Sequence, residues 1–165
     1  MASASAHSPR YTQVPLPATR FLPGAADPGV RPAEYRVLSA GWGADPARWR
    51  ESEDYLYGCD LFNAGFWWEA HEALEVVWKQ LRATDHAGEA KGVQAMIQVA
   101  AACIKRAIGD SAGVERLLTR ARANLTAAVQ LQAERSMGID LSAWVEQAET
   151  DLRGPGARWP RILLA

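Results

Sequence analysis

Val93-Gln94-Ala95-Met96-Ile97-Gln98-Val99-Ala100-Ala101-Ala102-Cys103-Ile104 is the stretch that decides the fold class. On a helix advancing ~100° per residue, its apolar side chains leave almost no solvent face, so the segment from about Glu89 to Ile108 belongs at the centre of a helical assembly. Its neighbours carry one apolar face each. Upstream, Trp67, Ala70, His71, Leu74, Val77, Trp78 and Leu81 mark a helix that starts after the Asn63-Ala64-Gly65 turn and ends near Thr84. Before it, Asp45-Pro46 supplies an N-cap and a first-turn proline, and Trp49, Leu56 and Cys59 recur at helical spacing, predicting one helix up to Phe62. Downstream, Gly109-Asp110-Ser111 ends the central helix and caps a long fourth one through Val114, Leu117, Leu118, Ala121, Leu125, Ala128 and Val129. After Met137-Gly138, the residues Leu141, Val145, Ala148 and Leu152 predict a short fifth helix. No strand-period alternation, internal repeat or glycine-rich phosphate loop accompanies these patterns, so the expected fold is an all-α, single-domain bundle of about five helices.

Working outward, residues 1–44 contain six prolines between Pro9 and Pro32 together with several glycines, a spacing that sustains neither a helix nor a central strand. This segment is expected to be an extended arm. Its apolar residues Tyr11, Val14, Leu16, Phe21, Leu22 and Trp42 predict that it packs on the bundle, because free linkers seldom carry so many. The bundle itself is expected over 45–153, and an apolar tail over 154–165.

A chain of 165 residues is long enough to bury a core without staples, and 48% hydrophobic with 22% charged residues excludes a disordered chain. The net charge of -1 argues against a nucleic-acid surface. The one basic concentration, Arg116, Arg120 and Arg122 with Lys105 and Arg106, is diluted by Glu115 and reads as a solvated helix face. No apolar run is long enough to span a bilayer, and Met1 to Arg10 lacks the apolar core of a secretory signal. Cys59 and Cys103 lie in apolar helical patterns without CxxC spacing, as buried thiols of a reducing compartment do, so a cytoplasmic location is expected and no membrane partner.

Chemistry is concentrated in Phe62-Asn-Ala-Gly-Phe-Trp-Trp-Glu-Ala-His-Glu-Ala-Leu-Glu-Val-Val-Trp78. His71 and Glu75 are one helical turn apart on the margin of the stripe made by Trp67, Leu74 and Trp78, so both are expected to be partly or wholly buried. On the central helix, Gln94, Gln98 and Lys105 project within about 40° of one another. Packing the two helices together predicts one polar network in which Gln94 or Gln98 meets Glu75 or His71, because buried amides need partners. One reading makes that network a device fixing helix register. The other makes His71, oriented by Glu75, a general base or metal ligand in a pocket walled by Trp67, Trp68 and Trp78. Helix geometry turns Glu69 and Glu72 away from the Leu74 stripe and predicts both in solvent unless the arm or another subunit covers that face.

Two metal templates fail on spacing. His71-Glu72-Ala73-Leu74-Glu75 opens like HExxH but ends in Glu75 where that zinc motif needs a second histidine. The di-iron bundle pattern needs Glu-x-x-His, whereas Glu69 and His71 are two apart. No cofactor is named by any motif, and metal binding stays open.

The signature Phe62-Asn63, Glu69-Ala70-His71-Glu72, Leu74-Glu75 and Trp78, followed by Ile97-Gln98, resembles the family of domain of unknown function 309, over roughly residues 52 to 126. The resemblance implies a compact helical fold and no established activity, and it draws Glu69 and Glu72 back among the candidate residues. Two functional classes follow. The first is a structural or interaction module, self-associating through aromatic surface, with Asn63 and the His/Glu/Gln residues as its polar network. The second is a small hydrolase-like enzyme using His71 with Glu75, Glu72 or Glu69, with or without a metal, on an unidentified small molecule.

Overall fold

The protein is described by a computed structural model over residues 9–39, 41–156 and 158–165; residues 1–8, on which the signal-peptide expectation chiefly rests, lie outside the described residues. Among the described residues five α-helices follow one another: α1 (Glu53–Asn63), α2 (Trp67–Ala83), α3 (Ala87–Ala107), α4 (Ser111–Gln130) and α5 (Leu141–Arg153). As its all-round apolar pattern requires, α3 is central and packs against α2, α4 and α5, while α1 packs on α2 and sets Phe62 edge-on to Trp144 of α5. Val93, Met96, Val99, Ala100, Ala102 and Cys103 are all at or near complete burial. The fold is all-α, and among the described residues no helix is long and apolar enough to cross a membrane.

The structure corrects the sequence reading at two places. The single helix expected from Pro46 to Phe62 is broken at Ser52. Pro46–Glu51 forms a 3-10 turn capped by Asp45, and Ser52, with extended backbone (φ -82°, ψ 93°), accepts from the Tyr55 N–H and opens α1 as a separate helix. A serine that satisfies a free N–H competes with helix continuation, which apolar periodicity does not register. The second correction is a minimal hairpin, β1 (Arg135–Ser136) against β2 (Ile139–Asp140), joined by Met137 and Gly138, both at positive φ (53° and 76°). That pair of left-handed residues suits a two-residue turn. A Cβ on Gly138 would also approach the Trp49 ring to 2.5 Å, so glycine serves both conformation and packing there. Two residues per strand are too few to show a period of two.

The arm lies across α1. Phe21 and Trp42 are buried, and Tyr11, Val14, Leu16 and Leu22 pack against the core. What pins the arm is polar. Asp54 and Asp60, both 0% exposed, point from α1 into it. Asp60 accepts from the N–H groups of Tyr11 (2.7 Å) and Thr12 (2.9 Å) and from the Thr12 hydroxyl (2.7 Å), with the Arg10 Nε at 3.1 Å. Asp54 accepts from the Tyr35 hydroxyl, the Leu38 and Ser39 N–H groups and the Ser39 hydroxyl, all at 2.8–3.0 Å. Asn63, at the end of α1, clamps the C-terminal tail: its Nδ2 donates to the Ile162 carbonyl (2.8 Å) and its Oδ1 accepts from the Ile162 N–H (2.7 Å). Tyr11 ties arm to tail, its hydroxyl donating to the Ile162 carbonyl and accepting from the Leu164 N–H.

Asp60→Ala is therefore expected to destabilise the fold by at least about 2 kcal/mol, because each buried donor left without an acceptor costs about 1–3 kcal/mol. Chemical denaturation gives the loss, and limited proteolysis should cut the arm of the variant well before the arm of the parent, with Asp60→Asn between the two.

Candidate functional site

α2 is the element that carries the candidate chemistry. Trp67, Ala70, Ala73, Leu74, Val77 and Leu81 bury one face of it against α1 and α3, leaving His71, Glu72 and Glu75 partly exposed on its margin. His71 and Glu75 are one turn apart as expected, but the contact made is with the neighbouring glutamate. The His71 Nδ1 lies 3.3 Å from the Glu72 Oε1, and Glu75 pairs with Lys79 at 3.4 Å. One ring nitrogen of His71 and one carboxylate oxygen each from Glu72 and Glu75 lie within 4.8 Å of one another. The imidazole stacks on Trp68 (centroids 5.9 Å apart, planes 12° apart), and Trp68 is itself held edge-on by Phe21 of the arm at 5.3 Å, with the Arg31 guanidinium 5.4 Å from its ring.

Glu69 and Glu72 depart from the solvated positions that helix geometry predicts. Glu72 is partly covered, and Glu69 is only 7% exposed, with one carboxylate oxygen, Oε2, lacking a hydrogen-bond partner. The reason is the arm: Phe21 and Arg20 lie over the face of α2 that would otherwise meet water. Burial pushes the Glu69 carboxyl above its ordinary value of 4.5, opposed by the backbone N–H groups of Glu69 and Phe21 and by the Arg20 charge.

The expected polar network between α2 and α3 is not formed as one unit. Gln94 accepts from Lys91 (3.3 Å) beside Trp78 and Arg82, the Oε1 of Gln98 is buried without a partner, and Lys105 pairs with Asp110 (3.2 Å) at the start of α4. Asn63 belongs to the tail clamp. The three tryptophans also separate: Trp67 is 3% exposed and faces Trp159 of the tail (centroids 4.4 Å apart), Trp68 faces the arm, and Trp78 lies under Arg82 (4.8 Å). Angular spacing along one helix gives the direction in which a side chain leaves, but the partner it reaches is supplied by another element. Two of the α4 arginines pair with carboxylates, Arg116 with Asp110 at 3.9 Å and Arg122 with Glu149. Both cysteines are buried, and burial raises both thiols far above their ordinary range, which removes them as nucleophiles at neutral pH.

Sequence reasoning missed Asp54 and Asp60, since a carboxylate in an amphipathic helix normally marks its solvent face. It also missed a cleft of about 690 Å³ whose lining includes Arg20, Arg158, Trp159 and Arg161 as well as Asn63 and Trp67. Its residues come from chain segments far apart, so no local spacing signals it.

With α1, α2 and the head of α3 described, the comparison with known families is decisive for this segment. Residues 55–117 match the family described as Domain of unknown function (DUF309). The DUF309 match runs from the first turn of α1 through α2 and α3 into α4, and so contains Asp60, Asn63, Glu69, His71, Glu72, Glu75, Trp78, Gln94 and Gln98. The arm, α5 and the tail lie outside it. No curated protein and no solved structure matches the chain.

The pH response of Glu69 follows from its burial. A carboxyl with a raised value in the folded state favours folding while protonated, below about pH 4.5, and that contribution is lost as pH rises through the raised value. Glu69→Gln cannot ionise, so the stability of the variant relative to the parent should increase from pH 4 to pH 7.5, read as the difference between their thermal midpoints across that range.

Proposed function

We propose that this protein is a helical binding module whose α2 face takes up a divalent cation through His71, Glu72 and Glu75. The observation that supports this reading is the convergence of three donor atoms within 4.8 Å on a partly exposed surface. Donors bound at about 2.0–2.2 Å in a tetrahedral site lie about 3.3–3.6 Å apart, so rotation of these partly exposed side chains would have to close the cluster by up to about 1.5 Å. One imidazole nitrogen with two carboxylate oxygens suits zinc, manganese, nickel or ferrous iron better than calcium or magnesium, which prefer all-oxygen sites. Two carboxylates neutralise the ion, Lys79 is the cation that would give way to it, and Trp68 supports the imidazole ring from one side. The remaining positions would be filled by water or by a ligand of the partner.

The second reading, a small hydrolase on the same residues, would use His71 or a neighbouring glutamate as general base on water, with or without this ion. Self-association and a cytoplasmic location form part of the same proposal. Val129 and Leu131 are exposed at the end of α4 and offer apolar surface to a second copy, and two buried reduced thiols suit a reducing compartment.

Elemental analysis of protein purified without chelator, followed by titration calorimetry with zinc and manganese, tests the proposal. About one equivalent of metal is expected, with affinity lowered at least about tenfold in His71→Ala and in Glu75→Gln while the helical circular dichroism is unchanged. Absence of uptake, or uptake indifferent to both substitutions, would remove the metal site.

A further inference from the structure

The cleft of about 690 Å³ lies outside the α2 cluster and has a different chemistry. It opens between the arm, the α1–α2 turn, α5 and the C-terminal tail, and its charged lining residues are three arginines, Arg20, Arg158 and Arg161, against one carboxylate, Asp151. Asp151 is already engaged, accepting from the Gln147 side chain at 3.0 Å. In a chain whose net charge is -1, this is a local concentration of positive charge facing a cavity of small-molecule size.

The Arg20 guanidinium and the backbone that carries Arg158 and Arg161 are held in place. Arg20 donates to the Ala64 carbonyl (3.4 Å) and its guanidinium lies 5.3 Å from the Trp67 ring. Arg106 donates to the backbone carbonyls of Asp151, Gly154, Gly156 and Arg158, and lies over the Trp159 ring at 4.8 Å, so one half-buried arginine shapes the loop that carries Arg158. The backbone of Arg161 is fixed on both sides, its carbonyl accepting from the Trp144 indole (2.9 Å) and the next residue, Ile162, being held by Asn63. Trp67, 97% buried, lines the same cleft, and its indole N–H has no hydrogen-bond partner. A buried donor without an acceptor is uncommon, and here it adjoins a cavity lined also by three guanidinium groups. Trp159, 37% exposed, leaves part of its ring open to the solvent.

We propose that this cleft binds a small anionic molecule, a phosphate monoester or carboxylate joined to a flat ring. The oxyanion would be held by the Arg20 and Arg158 guanidinium groups, which suit a planar two-oxygen acceptor, and the ring would lie against the exposed part of Trp159. The site rests on the arm and the tail and is independent of the metal proposal.

The test uses titration calorimetry of the full chain with phenyl phosphate, benzoate and uncharged benzyl alcohol. Saturable binding of phenyl phosphate or benzoate, weakened by added salt and absent for benzyl alcohol, is the expected result, and the tighter of the two names the anionic group. Arg158→Gln and Trp159→Leu should each raise Kd about tenfold or more, and His71→Ala should leave it unchanged. Thermal midpoints of the variants close to that of the parent show that the fold is retained, and Arg20→Gln supplies a replacement if one of them fails to fold. Failure of both anions to bind, equal binding of benzyl alcohol, or indifference to all the cleft substitutions would overturn the proposal.

Discussion

Two fully buried carboxylates on α1, Asp54 and Asp60, are the constraint on which the rest of the structure depends. A charge in a protein interior is tolerated only when hydrogen bonds replace its water, and each of these receives its donors from the arm. A segment too rich in proline to form its own ladder of hydrogen bonds thereby becomes an ordered layer, with its N–H groups spent on side chains of a helix. Once the arm is laid down, its other residues have fixed places: Phe21 against Trp68, Arg20 beside Trp67, Trp42 donating to Gln80 at 2.7 Å.

The candidate surfaces inherit that arrangement. Trp67 and Trp68 are consecutive, so they leave α2 about 100° apart. The first faces the tail and the arginine-lined cleft, and the second faces the arm and His71. One helix therefore contributes to two sites of opposite electrostatic character, an acidic cluster at His71, Glu72 and Glu75 and a cationic cleft whose arginines come from the arm and the tail. The matched family segment contains the first cluster whole and only the aromatic and amide edge of the second, since Arg20 lies before it and Arg158 and Arg161 after it.

Burial also separates groups that the sequence makes look alike. Glu69, Glu72 and Glu75 stand at three-residue intervals on one helix, yet only Glu69 is closed over, because Phe21 reaches that position. Glu72 and Glu75 stay partly open to water. The same distinction applies to the amides, where Gln94 finds Lys91 at the surface and Gln98 has its oxygen enclosed without a partner.

Local sequence determined the elements: the all-round apolar α3, the faces of α2, α4 and α5, the stops at Gly65 and Gly109, and the central position of α3 are readable because helical period and backbone preference act over a few residues. The break at Ser52 and the Met137–Gly138 hairpin are local too, but side-chain capping and left-handed turn geometry carry no apolar period. His71 and Glu75 were legible as a pair because one helix presents both a turn apart, whereas Glu72 joined the candidates only through the family resemblance. Tertiary structure alone decided that Asp54 and Asp60 are interior, that Glu69 is covered, that Asn63 holds the tail, and that arginines far apart in the chain share a cleft. Those outcomes depend on which distant segment supplies the donors or the covering surface, and spacing within a helix fixes a direction without naming what lies along it.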